Sequence, residues 1–151
     1  MINDLLVYAY KKELDILRDM SAGVGAHTDE EFFRVIKNLV HSLLDCEERF
    51  RNQINDLNDK ELFQAFRFVN NQLKHDNGFI SLLHREDGGA LPLKVDGTGR
   101  FYHYTWNESK KLGKNFRYKE QKKAYEKILK GKAIIYTFEK VDMIIHKYIG
   151  E

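Results

Sequence analysis

One stretch of uninterrupted helical period constrains this chain more than any other feature. From Asp29 to about Asp56, Phe32, Phe33, Ile36, Leu39, Val40, Leu43, Leu44, Phe50 and Ile54 recur at three- and four-residue intervals, Leu57 continues the series, and no Gly or Pro interrupts it. A helix with such a stripe must bury it against other helices, so the stretch is expected to be the longest element and the spine of a bundle. Thr28 with Glu31 three residues on supplies a capping box at its start.

The flanking segments fit helices around that spine. Ile2 to Met20 carries Ile2, Leu5, Leu6, Ala9, Ile16 and Leu17 as an amphipathic stripe, with Asn3 or Asp4 as cap. Ser21 to Ala26, with Gly23 and Gly25, breaks it. Asn58 and Glu61 form a second capping box, followed by a stripe of Leu62, Phe66, Val69 and Leu73 that runs to His75, and Gly78 stands where a left-handed helix end is expected. A connection this short makes the third helix antiparallel to the second.

The pattern changes after Gly78. Gly88, Gly89, Pro92, Gly97 and Gly99 punctuate β-favouring runs at Phe79 to Leu83, Leu91 to Val95 and Phe101 to Trp106, and Asp96 to Gly99 has the composition of a hairpin turn between the last two. Pro92 makes the first of those two an edge strand. Helix resumes near Tyr118 and ends at Gly131, and Ile134, Ile135, Phe138, Val141, Ile145 and Tyr148 have the period of a last helix, although Ala133 to Phe138 alone also fits a strand. The expected fold is mainly α: an up-and-down bundle of about five helices with a small β-hairpin excursion between helices 3 and 4. Residues 1–151 are read as one domain with the hairpin insertion at about 79–106.

Composition narrows the chemistry. Cys46 is the sole cysteine, so a disulfide framework and a cysteine zinc site are both unavailable, and a reducing, cytoplasmic setting is expected. The N-terminal segment, meeting Lys11, Lys12 and Glu13, is too short and polar for a signal peptide or a membrane span. The six histidines, His27, His41, His75, His84, His103 and His146, include no pair at i, i+4, so no metal is expected. No cofactor is expected either: Gly97-Thr98-Gly99-Arg100 lacks the Lys-Ser/Thr ending of a phosphate loop. Cys46, among Asp45, Glu47 and Glu48, has its thiolate disfavoured, and no serine sits in a nucleophile elbow.

Net charge is +2, but unevenly spread: residues 13–61 hold twelve Asp and Glu against six Lys and Arg, whereas residues 110–132 hold ten Lys and Arg against two Glu. A basic stretch interleaved with Phe101, Tyr102, Tyr104, Trp106, Phe116, Tyr118 and Tyr125 is suited to phosphates and unpaired bases, with Lys74, Arg117, Lys119, Lys122 and Lys123 as the RNA-binding candidates. Solvated lysines and a packed aromatic face explain the same residues. Strand alternation sends Tyr102, Tyr104 and Trp106 one way and Phe101, His103 and Thr105 the other, so one aromatic face is expected to cover the helices.

Arg67, Asn71 and His75 stand at four-residue spacing and climb one flank of the third helix, beside its apolar stripe. A guanidinium grips phosphate, an amide orients, and an imidazole exchanges protons near neutral pH, a set that suits ribonucleolytic cleavage. Solvation of Asn71 and Lys74, with His75 satisfying the last helix carbonyls, accounts for the same positions structurally. Arg34 and His41 on the second helix form an Arg-x6-His pair, but over the three spacings of four to six intervening residues roughly one such match is expected by chance among eight arginines and six histidines. They are assigned to the solvated face.

Asn70-Asn71-Gln72-Leu73-Lys74-His75-Asp76, on a late helix of an all-α bundle, is similar to the Arg-Asn-x-x-x-His signature of the HEPN superfamily, the higher eukaryote and prokaryote nucleotide-binding helical domains. The resemblance implies a homodimer that brings two such helices together, with RNA as ligand and metal-independent endoribonuclease activity in toxin or antiphage systems. It matches Asn71 to the polar residue after the Arg and His75 to the His. Asn70 occupies the Arg position, and the nearest arginine, Arg67, lies seven intervening residues before His75. The alternative carried with it is a non-catalytic helical module that docks a protein partner.

Overall fold

A computed structural model of the chain describes residues 4–23, 27–75, 83–90, 100–107 and 119–149. Its elements are α1 (Asp4–Ser21), α2 (Asp29–Phe50), a 3-10 turn (Arg51–Gln53), α3 (Leu57–His75), β1 (Leu83–Ala90), β2 (Arg100–Trp106), α4 (Lys119–Ile128) and α5 (Ile134–Ile149). The protein is mainly helical, a bundle of five helices among the described residues, and α2 is the longest.

The capping box opens α2 as its residues require. Thr28 has extended backbone angles, its Oγ1 accepts from the Glu31 amide at 3.1 Å and donates to the Glu31 carboxylate at 3.3 Å. Asp29, Glu30 and Glu31 in the first turn complement the helix dipole. The helix stops at Phe50, six residues short of the expected end, because the chain tightens into the 3-10 turn there; Leu57, expected on the buried stripe, is 78% exposed. The next cap is Asp56, not Asn58: its carboxylate accepts from the amides of Asn58 at 2.7 Å and Asp59 at 3.3 Å, which places Asn58 inside α3. Gly23 and Gly131 adopt positive φ just after α1 and α4, a conformation that costs glycine least. Gly78 lies outside the described residues.

Packing follows the stripes of α2, α3 and α5. Ile36, Leu39, Val40 and Leu43 of α2, Leu62, Phe63, Phe66 and Val69 of α3, and Phe138, Val141 and Ile145 of α5 are buried together, each such side chain stabilising the fold by about 1.5–3 kcal/mol. α3 runs antiparallel to both α2 and α4: Phe50 meets Phe63 while Glu47 meets Arg67, and Glu61 meets Lys127 while Asn71 meets Gln121. The stripe of α1 is turned from the expected one. Tyr10, Leu14 and Leu17 enter the core, whereas Leu5 and Ile16 are exposed.

The hairpin differs from expectation in its first strand. β2 pairs with Leu83–Ala90, in a register that sets Leu83 opposite Trp106 and Arg85 opposite Tyr104, with an irregularity between Asp87 and Ala90. The segment Leu91 to Val95, the turn at Asp96 to Gly99 and the run 79–82 lie outside the described residues. β2 is also bound into the helical core. Trp106 N donates to Lys132 O at 3.1 Å and Gly131 N to Trp106 O at 2.8 Å, while the Trp106 indole donates to Thr137 Oγ1 at 3.0 Å. Residue 133 forms a bridge with Thr105, and helix begins one residue later, so the segment open to both readings is helical from Ile134.

Candidate functional site

The antiparallel contact of α2 and α3 positions the flank singled out in the sequence. With 100° per residue, Asn70, Lys74, Arg67 and Asn71 fall within about 100° of arc on α3. All four line a hollow of about 350 Å³. The opposite wall is α2, with His41, Asp45 and Glu48, and Gln121 of α4 closes one side.

Glu47 fixes the arginine. It is fully buried on α2 and accepts from Nη2 of Arg67, from Nε of Arg51 at 2.8 Å and from Nη2 of Arg51 at 3.3 Å. A buried carboxylate held by two guanidiniums is satisfied, and it pins both cations at the edge of the hollow. The Glu47 bond raises the Arg51 guanidinium above its already high pKa, so Arg51 remains charged at every physiological pH. Asn71 is fixed as well, donating from Nδ2 to Gln121 Oε1 at 2.8 Å.

His41 is the residue that sequence spacing assigned to the solvated face. It is exposed, as expected, yet it lines the same hollow as Arg67 and lies 3.9 Å from Asp45 on the next turn. Its Arg34 partner in sequence does not line the hollow. A signal for His41 was present in α2 itself, where His41, Asp45 and Glu48 repeat at four and three residues on a polar flank.

The other expected site residues divide. Lys74 is exposed and lines the hollow. His75 ends α3, but its side chain lies outside the described residues, as does Arg117. Lys119 and Lys123 are exposed on α4 and Lys122 is half-buried there, and none of the three lines the hollow. The aromatic half of the expected base-stacking surface is spent on packing: Tyr104, Trp106 and Tyr125 are buried, with Tyr104 stacked on Phe32 at 3.7 Å between ring centroids. That outcome agrees with one strand face covering the helices. The side chains of Phe101 and Tyr102, and Phe116 and Tyr118, lie outside the described residues.

Burial pushes the Cys46 thiol up to about 11, with the Asp45 carboxylate adding to the shift, so this cysteine is a protonated core side chain at neutral pH. Among the described residues no group of three or more His, Cys, Asp or Glu has the arrangement of a metal site, and no helix is long and apolar enough to cross a membrane. Compared with protein-family models, with curated proteins and with solved structures, the chain matches none.

Proposed function

We propose that this chain is a HEPN-like RNA-binding protein whose ligand lies in the hollow between α2 and α3. The observation that carries the reading is the convergence of Arg67, Asn71 and Lys74 from one flank of α3 on a single hollow opposite His41. Arg67 and Lys74 supply phosphate contacts, Asn71 and Asn70 supply amides, and the imidazole of His41 stands at the rim. Binding is the primary activity, because Arg67 also serves the buried Glu47 and its grip on phosphate is shared. Metal-independent cleavage, the stronger form of the proposal, assigns proton exchange to His75. A homodimer and a cytoplasmic role in bacterial defence or a toxin-type system rest on the resemblance alone.

The test is fluorescence anisotropy with a labelled single-stranded RNA across a salt series, followed by incubation with structured RNA in chelator. The expected result is affinity that falls with salt, with Lys74→Gln lowering the log–log slope by about 1, as the loss of one phosphate contact requires. Salt-independent or absent binding overturns the proposal. Cleavage that persists in His75→Ala removes the catalytic form only.

A non-catalytic protein-docking module is the second reading, favoured by a particular stripe. Tyr136 and Met143, seven residues apart on α5, are 60% and 74% exposed, and Tyr8 of α1 is 60% exposed. Under that reading charge removal in the hollow leaves partner binding intact, and Met143→Glu abolishes it.

A further inference from the structure

A second hollow, of about 440 Å³, opens between α1, α2 and α3 and shares His41, Asn70 and Lys74 with the first. Each is within the size range of a small-ligand site, and the shared residues make them two compartments of one trough. Their charges differ. The first is lined by Arg51, Arg67 and Lys74 against Asp45 and Glu48, with the buried Glu47 directly behind both arginines, so its cations are balanced. The second is lined by Lys12, Lys37 and Lys74, one from each helix, against Glu13 alone. Among the described residues no carboxylate is paired with any of those three lysines. The surplus in the second hollow is therefore two positive charges with His41 neutral.

That surplus discriminates between kinds of phosphate. A phosphodiester inside a strand carries one negative charge, whereas a phosphomonoester carries about −1.5 to −2 at neutral pH and offers three acceptor oxygens. Lys12, Lys37 and Lys74 line the hollow from three helices, so such a group can draw cations from three elements once the Lys12 ammonium leaves the face of the Tyr8 ring, 5.5 Å from its centroid. Ala9 and the edge of Leu73 give the hollow an apolar lining beside the lysines.

We infer that the second hollow receives the terminal phosphomonoester of an RNA strand whose adjoining nucleotides occupy the first. This rests on the RNA reading above and adds the preference for a phosphorylated end. Lys74, common to both compartments, meets the strand where it crosses from one to the other. Lys12 and Lys37 line only the second compartment and so serve the end phosphate without touching the rest of the site.

The experiment compares three oligoribonucleotides of one sequence, bearing a 5′-phosphate, a 3′-phosphate or hydroxyls at both ends, by anisotropy with an internal label. One phosphorylated form is expected to bind about tenfold tighter than the hydroxyl form, the effect of one charged hydrogen-bonded group. In the double variant Lys12→Gln with Lys37→Gln that preference is expected to vanish while hydroxyl-ended RNA binds as before. Equal binding of all three oligonucleotides, or a preference untouched by the double variant, overturns this inference and leaves the RNA reading standing. Absence of binding to all three overturns both.

Discussion

Glu47 on α2 and Asp142 on α5 are both buried carboxylates that hold an arginine, yet one arginine has every nitrogen partnered by protein and the other borders a hollow. Around Asp142, the Tyr10 hydroxyl donates at 2.7 Å and Arg18 Nη2 at 3.3 Å, with His146 at 3.5 Å. Arg18 spends all three guanidinium nitrogens: Nε and Nη2 on Glu139 at 2.5 and 2.9 Å, and Nη1 on Asp15 at 3.3 Å. Arg67 gives only Nη2, to Glu47, and among the described residues its other nitrogens have no protein partner. A guanidinium saturated by protein is a tie between α1 and α5. One anchored through a single nitrogen is oriented and retains donors for a ligand.

The comparison is most sharply broken by deleting its anchors. Glu47→Ala removes the acceptor of two arginines and leaves the part-buried Arg67 unpaired, at an expected cost of about 3–5 kcal/mol in urea denaturation. RNA affinity should fall with it, since Arg67 loses its orientation; a variant of unchanged stability would show that Glu47 is not an anchor. Tyr10→Phe withdraws the shortest donor to Asp142 and should cost about 1–3 kcal/mol while leaving RNA affinity as in the parent. Loss of RNA binding in Tyr10→Phe would erase the distinction between the two clusters.

The smallest effect concerns acid. The hydrogen bond from Arg18 holds the Glu139 carboxyl below its ordinary range. A carboxylate depressed in the folded state stabilises above its unfolded-state pKa, and that stabilisation is lost as pH falls through the folded-state value. Arg18→Gln should therefore lower the melting temperature at pH 7 and flatten the acid limb of a stability–pH curve. Both partners are about two-fifths exposed, so solvent screening keeps the expected difference below about 1 kcal/mol. An unaltered acid limb would count against the assigned cause.

How much of this was legible in the sequence varied with the physics involved. α2 and α3 were readable because their apolar stripes are self-consistent over many turns and their burial is decided by those stripes. On α1 the same reasoning selected Leu5 and Ile16, because hydrophobicity alone does not say which face meets a neighbour; the face is fixed by Tyr10, whose hydroxyl reaches Asp142 across the fold. β1 was missed because Leu83–Ala90 is polar and has two glycines, so its pairing is stabilised by backbone bonds to β2 that no side-chain pattern announces. The flank of Arg67, Asn71 and His75 was visible as helical spacing, and of these Arg67 and Asn71 line the hollow, while the His75 side chain lies outside the described residues. His41 and Glu47 belong to another helix, and only the antiparallel contact brings them to it.

Trp106 is the chain's one tryptophan, fully buried between Phe66, Tyr125 and Phe138 from three different helices. An indole in that place is a native optical probe of a single joint: the seam of β2 with α3, α4 and α5. Its emission should remain blue while that seam holds and move to the red when β2 separates from α5, so spectroscopy can time the release of the strand without an added label. Because the indole does not line either hollow between the helices, occupancy there and rupture of the seam are separable signals in one cuvette.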